Sequence, residues 1–143
     1  MTDSAETIRN RTFAFACAVA KLALQLTPRP GVRCVIDQLV KSATGVGANL
    51  EEAKAASSKR EFVRYVEISL REAREASYWL RIFVALELAP SSDVKDLSGE
   101  ADQIARILGS IVVRTKLRMR VVMQCLHFEF CISVLGSNYG CSH

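Results

Sequence analysis

The residues best suited to chemistry in this chain are two acids that follow two glycines, in the stretch ATGVGANLEEA at residues 43–53. Adjacent carboxylates such as Glu51 and Glu52 can serve in acid–base catalysis or bind a hard cation. The glycines, Gly45 and Gly47, sharpen the question, because each costs about 1 kcal/mol relative to alanine inside a helix. The stretch therefore has either an active site or a packing constraint to explain it.

The rest of the chain offers these acids few catalytic partners. The histidines, His127 and His143, complete no Glu-x-x-His motif, which helical bundles use to hold two iron ions. There is no nucleophile elbow or Walker loop, and GVGAN has two glycines where a dinucleotide fingerprint has three between a strand and a helix. We therefore expect no enzyme, catalytic residue, metal site or cofactor, and carboxylates that accept hydrogen bonds or pair with arginines.

Composition favours one helical domain. Half of the 143 residues are hydrophobic, only 7% are aromatic and there are 3 prolines, too few turn residues for a β-sandwich. Five cysteines lack metal-ligand spacing, which is typical of reduced thiols. No run reaches the roughly 18 uncharged apolar residues of a membrane span. These features predict a cytoplasmic protein without a membrane partner.

Apolar residues recur at spacings of three and four along four segments, and prolines and cap residues separate them. We predict helices over residues 4–27, 31–55, 58–88 and 93–118. Serine at 58 followed by glutamate at 61 is a capping box, which predicts that the third helix begins after Ser58. Short loops between long helices predict an all-α, antiparallel, up-down-up-down four-helix bundle over residues 1–118.

The C-terminal extension, residues 119–143, has no clean period. Its sequence permits three outcomes: an extension of the fourth helix, an appended element, or disorder.

The third predicted helix carries two apolar seams, more than one bundle needs. The first, which we expect to face the core, contains Val66, Ser69, Leu80 and Phe83 among residues at spacings of three and four. The second includes the aromatic residues that are enriched at subunit interfaces. Its interface candidates are Tyr65, Ile68, Trp79 and Ile82. The alternative is that this seam packs only on helices of its own chain.

Basic residues form two groups that could contact phosphates. On the third helix they follow one stripe, where a Glu67–Arg71 ion pair is the structural alternative. On the fourth they account for most of the net charge of +4, and a favourable interaction with the macrodipole at the helix C-terminus is the alternative. The candidate nucleic-acid contacts are Arg60, Arg64, Arg71, Arg74, Arg81, Arg106, Arg114 and Lys116.

Four segments between Thr12 and about Lys116 resemble, in order, the four helix bundle protein family, also called the 23S rRNA-intervening sequence protein family. They are TFAFACAVAKLALQL, QLVKSATGVGANLEEA, SSKREFVRYVEISLREAREASYWL and EADQIARILGSIVVRTK. The resemblance covers about three quarters of the chain. After about Arg118 the sequence departs from the family pattern, because members commonly end soon after the fourth helix.

The resemblance implies a ring-shaped homo-oligomer, with a pentamer favoured, and no catalytic residue. The family takes its name from genes inside insertions of large-subunit ribosomal RNA. A related branch assists the reverse transcriptase of diversity-generating retroelements, and its basic ring surface contacts nucleic acid and protein. The resemblance therefore implies RNA or DNA, or a reverse transcriptase or other protein, as partners for the basic residues named above.

The resemblance also places the glycines in mid-helix, where a neighbouring backbone or ring can approach. It implies structural roles for three polar residues, Asn49, Glu52 and Glu75. From the residue type, we expect Asn49 to be buried and hydrogen-bonded to another helix.

Overall fold

The computed structural model of the protein describes the backbone of residues 2–26 and 30–136, and the side chains of residues 7–26 and 30–124. This part of the chain is all-helical and contains no strand. Its helices are α1 (Thr2–Gln25), α2 (Arg33–Ala55), α3 (Lys59–Ala85) and α4 (Ser91–Gly136). The all-α class and the four helices are thereby confirmed.

Each helix packs on its neighbour along the chain, and α3 lies against both α2 and α4. α1 packs on α2 and makes a smaller contact with α4. The central position of α3 explains why its first apolar seam is fully enclosed. The buried members of that seam are Val66, Ser69, Ala73, Ala76, Leu80 and Phe83.

The start of α3 confirms the predicted cap at Ser58. The Ser58 hydroxyl accepts a hydrogen bond from the Glu61 backbone N–H at 3.1 Å. The Glu61 carboxylate differs from an ideal capping box, because it accepts from the backbone N–H and hydroxyl of Ser57, each at 2.8 Å. These bonds hold the pKa of Glu61 below its usual value.

The end of α3 comes three residues earlier than predicted. Glu87 adopts a positive φ of 50°, which a non-glycine residue rarely does. The Leu88 N–H donates to the Phe83 carbonyl at 3.1 Å, and the Glu87 N–H donates to the Val84 carbonyl at 3.2 Å. This is a Schellman motif built without glycine, so the sequence carried no glycine signal for it.

The most distinctive element is α4, whose 46 residues correspond to about 69 Å of helix. It begins at Ser91, two residues before the predicted start, and the Val94 N–H donates to the Pro90 carbonyl at 3.3 Å. It then continues through most of the C-terminal extension to Gly136. Of the three outcomes that the sequence left open, the structure shows an extended fourth helix; the domain division at residue 118 stays a prediction.

α4 leaves the core well before it ends. Met119 packs against the core, whereas Arg120, Val121, Val122, Met123 and Gln124 are all exposed. Consecutive residues of a helix point to different sides, so exposure of all five means that this part of α4 extends past the other helices.

Candidate nucleic-acid interface

All eight predicted nucleic-acid contacts are exposed. The structure brings three of them together, from two helices: Arg60 and Arg64 near the start of α3, and Lys116 on α4. They line one open groove of about 640 Å³, which also includes Met119 and the acids Glu61 and Glu67. Arg60 and Arg64 share a face because they are four residues apart. The groove combines basic side chains that are distant in the sequence.

The groove is only partly neutralised by its acids. The Lys116 ammonium donates to the Glu67 carboxylate at 2.6 Å, in an ion pair that is partly exposed on both sides. Neither Arg60 nor Arg64 forms a salt bridge with a carboxylate of the described residues. Both guanidiniums therefore remain able to donate forked hydrogen bonds to a phosphate.

The Glu67–Arg71 ion pair, the structural alternative to phosphate binding, is not formed, and the Glu67 carboxylate pairs with Lys116 of α4. Arg71 instead donates from Nε to the Glu67 backbone carbonyl at 3.4 Å. The other four candidates extend away from the groove. Arg74 and Arg81 lie further along α3, and Arg106 and Arg114 lie on α4.

A favourable interaction with the helix macrodipole does not explain the basic residues at the start of α3 or those of α4. Arg60 lies in the first turn of α3, where a cation opposes the helix macrodipole. The basic cluster of α4 is in mid-helix rather than at a C-terminus, since α4 continues from Arg118 to Gly136. The macrodipole effect fades within the last turn, so the structural alternative offered for this cluster is wrong.

The predicted oligomer seam of α3 is half-buried within the single chain: Tyr65, Ile68, Trp79 and Ile82. Tyr65 and Trp79 pack partly against the chain's own core. The indole N–H of Trp79 donates to the Glu75 carboxylate at 3.1 Å. Each of the four side chains thus keeps some surface that a second copy could cover.

The two glycines of α2 face two different neighbours. A methyl group at Gly45 would lie 3.1 Å from the carboxyl carbon of Glu72 on α3, and one at Gly47 would lie 3.7 Å from the Thr12 hydroxyl on α1. Gly45 is therefore the tight position, and it admits an acid rather than a ring. At Gly47 the methyl group would make ordinary van der Waals contacts, with the Thr12 backbone at 3.9 Å, so the packing of α1 there does not require glycine.

The polar residues around these glycines differ from expectation. The Asn49 amide donates to the Gly45 carbonyl at 2.8 Å, within α2. The prediction that this amide bonds to another helix is therefore wrong. Glu52 is exposed. The buried bond between α2 and α3 is made instead by Ser69, whose hydroxyl donates to the Val46 carbonyl at 2.7 Å. Ser69 belongs to the predicted core seam, and a polar residue at a core position is the sequence feature that could have indicated a hydrogen bond between helices.

Glu72 of α3 is a partly buried acid whose carboxyl group lies beside Gly45 of α2. Burial against α2, and then the nearby charge of Glu75, raise the pKa of Glu72 above its usual value, while Lys41 and Arg71 oppose that shift. On α4, Glu100 shows the opposite behaviour, because hydrogen bonds from the Arg11 guanidinium lower its pKa. Neither acid belongs to a cluster that could hold a metal; the described residues contain no such group of histidines, cysteines and acids.

The search for membrane-crossing helices covers the same described residues. None of the helices is both long and apolar enough there to span a bilayer.

Comparisons with known proteins agree on the family. The model of the 23S rRNA-intervening sequence protein family matches residues 6–110. The chain is also similar to a crystal structure of a protein of unknown function from the S23 ribosomal protein family of Bacteroides thetaiotaomicron VPI-5482. The two are 27% identical with a TM-score of 0.69, over 73% of this chain and 97% of the other. No curated protein matches. The family model spans well over half of the sequence, and the chain belongs to the 23S rRNA-intervening sequence protein family.

Proposed function

We propose that this chain is a non-enzymatic, cytoplasmic, homo-oligomeric protein that binds RNA or DNA through its basic helix faces. Its helices run up-down-up-down, and copies assemble into a ring, with a pentamer favoured. The arginine and lysine groove between α3 and α4 carries the proposal.

The groove supports phosphate binding by its residue types and their placement. Arg60 and Arg64 supply two guanidiniums that form no salt bridge with the described residues, and Lys116 supplies a third cation whose carboxylate partner is partly solvated. A surface ion pair of this kind is worth less than about 1 kcal/mol, so a phosphate can compete for the lysine. A volume of about 640 Å³ accommodates more than one phosphate of a nucleic-acid backbone.

The test is a titration of the purified protein into labelled structured RNA and duplex DNA, followed by fluorescence anisotropy at several salt concentrations. Contacted phosphates make the logarithm of affinity fall linearly with the logarithm of salt concentration, with a slope of about 0.9 per phosphate on duplex DNA. The variant Arg60→Gln/Arg64→Gln should weaken binding at least tenfold and reduce that slope by about 2.

A charge-matched control separates the groove from net charge. Arg33→Gln/Lys54→Gln removes two exposed cations from α2. Its affinity and salt slope should stay close to those of the parent protein. Equal losses in both variants would mean that binding depends on overall charge and not on the groove.

A second candidate function is a protein-interaction scaffold or an accessory subunit, of a reverse transcriptase or another protein, without nucleic-acid contact. The Lys116–Glu67 ion pair favours it, because it shows a basic residue of the groove engaged by the protein itself. Absence of RNA and DNA binding at low salt would eliminate the first proposal and leave this one.

Assembly is tested separately through the second seam of α3. Trp79→Ala should shift the molar mass measured by light scattering towards that of a monomer, because it removes the largest side chain of the proposed interface. Val84→Ala, at an exposed apolar position of the same helix, is the control. An unchanged mass with intact helical content would exclude this seam as the interface.

A further inference from the structure

The outer face of α4 changes character along its length. Gln103, Arg106 and Ser110 are exposed polar residues on this face. The next positions on it are Val113, Leu117 and Val121, whose exposed fractions are 57%, 54% and 58%. We name these three residues the outer strip. They are spaced by four, so they lie within an arc of roughly 80° on the side of α4 that faces away from the core.

Cations flank the outer strip on both sides. Arg114 and Arg118 lie next to it in one direction around the helix, and Lys116 and Arg120 lie next to it in the other. All four are exposed. The sequence between Asp102 and Glu129 contains no acid. Among the described residues, the acids near this group belong to α3: Glu67, which pairs with Lys116, and Glu61, which lines the same groove as Lys116. The surface is apolar along its centre and basic at its edges.

This combination selects among possible occupants. A second copy docked through the same face would bring its own Arg114, Arg118 and Arg120 against the same residues, without carboxylates of α4 to separate the like charges. A nucleic acid would satisfy the cations but would leave the valine and leucine side chains against phosphates and water. An anionic bilayer surface satisfies both, because headgroups accept the cations while acyl chains cover the apolar strip.

We infer that the outer strip and its flanking cations form a binding surface for anionic lipid membranes, with α4 lying parallel to the bilayer plane. The contact is peripheral and requires no membrane-crossing helix, and the described residues contain none. The inference therefore departs from the sequence-based prediction of no membrane partner, which rested on the lack of a membrane span. The strip begins after residue 110, where the match to the family model ends. The surface shares Arg114 and Lys116 with the proposed nucleic-acid contacts, but the inference does not depend on nucleic-acid binding.

The experiment is co-sedimentation of the full-length protein with vesicles of phosphatidylcholine alone or of phosphatidylcholine mixed with phosphatidylglycerol. The parent protein should bind the mixed vesicles and not the neutral ones. Leu117→Gln/Val121→Gln should abolish this binding. Arg114→Gln/Arg118→Gln should weaken it roughly 25-fold, since each basic residue near an anionic surface strengthens binding roughly fivefold.

Two controls match these changes elsewhere on the surface. Leu24→Gln alters an exposed leucine of α1, and Arg33→Gln/Lys54→Gln removes two cations from α2. Both controls should bind mixed vesicles like the parent protein. Circular dichroism spectra should show equal helical content for every variant, because all altered side chains are exposed.

Three outcomes would overturn the inference. The first is no binding of the parent protein to mixed vesicles, and the second is equal binding of the parent and the Leu117→Gln/Val121→Gln variant. The third is that the parent protein forms an oligomer and binds no vesicles, while the Leu117→Gln/Val121→Gln variant has a lower molar mass. This result would show that the outer strip is a contact between copies. Failure of nucleic-acid binding is seen separately, because Arg60→Gln/Arg64→Gln should lose RNA or DNA binding and keep vesicle binding.

Discussion

The buried face of α3 and the outer face of α4 look alike in sequence and differ completely in the fold. Both place apolar residues at helical spacing, yet Leu80 of α3 has no exposed surface while Leu117 of α4 is 54% exposed. α3 lies between α2 and α4, which cover it from two sides. Periodicity therefore shows which residues share a face, and only the neighbouring helices decide whether that face is covered.

The largest expected contrast between the two faces is Leu80→Ala against Leu117→Ala. Removing the enclosed Leu80 side chain should lower the free energy of unfolding by about 3–5 kcal/mol, because a cavity remains. The same change at Leu117 should cost about 1 kcal/mol or less, since over half of that side chain already contacts water. Urea unfolding monitored by circular dichroism measures both. Similar losses would indicate that the outer strip is covered in solution.

The hydroxyl groups of the two faces provide a second, smaller contrast. Ser69 donates to α2 from a buried position, whereas exposed Ser110 donates to the Arg106 carbonyl of its own helix at 3.0 Å. Ser69→Ala should be less stable than Ser110→Ala by about 1 kcal/mol, the net value of one hydrogen bond. The gain in helix propensity is common to both substitutions and cancels. Equal free energies of unfolding would show that the bond between α2 and α3 is not stabilising.

Alanine substitutions at two glycines compare an open position of α4 with a tightly packed position of α2. No atom lies within 4 Å of a methyl group placed at Gly109 of α4, so Gly109→Ala should stabilise the fold by about 0.5–1 kcal/mol. Gly45→Ala should gain less or lose stability, because the new methyl group must displace the Glu72 carboxyl group. Thermal unfolding of both variants tests this. An equal gain at Gly45 would mean that Glu72 moves aside without cost.

The smallest effects concern two acids with opposite pKa shifts. The pKa of Glu72 is raised above its ordinary value of 4.5, so stability should fall as pH rises from 4.5 through the folded-state pKa. Glu72→Gln should remove this fall and melt higher than the parent at neutral pH. The pKa of Glu100 is lowered, so its contribution is present above 4.5 and lost as pH falls through the folded-state pKa.

Glu100→Gln is the control for Glu72→Gln, because it should change the melting temperature at neutral pH in the opposite direction. Glu100→Gln should melt lower than the parent protein at neutral pH and should approach it in acid. Melting temperatures measured across the acid range distinguish the two. A Glu72→Gln variant whose difference from the parent does not change with pH would contradict the raised pKa.

Much of the fold could be predicted from local signals. Spacings of three and four placed Val66, Leu80 and Phe83 in the core, and they are buried. The Ser58 cap was predictable because its partner, Glu61, is three residues away. The early end of α3 was not, since Glu87 adopts a left-handed conformation that its residue type does not announce.

The candidate site was predictable as a set of residues and not as an arrangement. The exposure of Arg60 and Arg64 followed from their place on a polar helix face. How α4 packs on α3 brings Lys116 next to these two arginines. The same packing lets Glu67 pair with Lys116 instead of Arg71. Arg71, four positions away, and Lys116, on another helix, compete for the Glu67 carboxylate. Sequence spacing indicates only the pairing with Arg71.

The sequence by itself determined the helices, their buried faces, the N-cap of α3 and the basic character of α4, because each of these depends on residues within a few turns of one another. The tertiary structure alone decided that Gly45 receives Glu72, that three cations share one groove, and that α4 carries an uncovered apolar strip on the side that faces away from the core. These features arise between helices, where side chains far apart in the chain exclude, pair with or fail to reach one another.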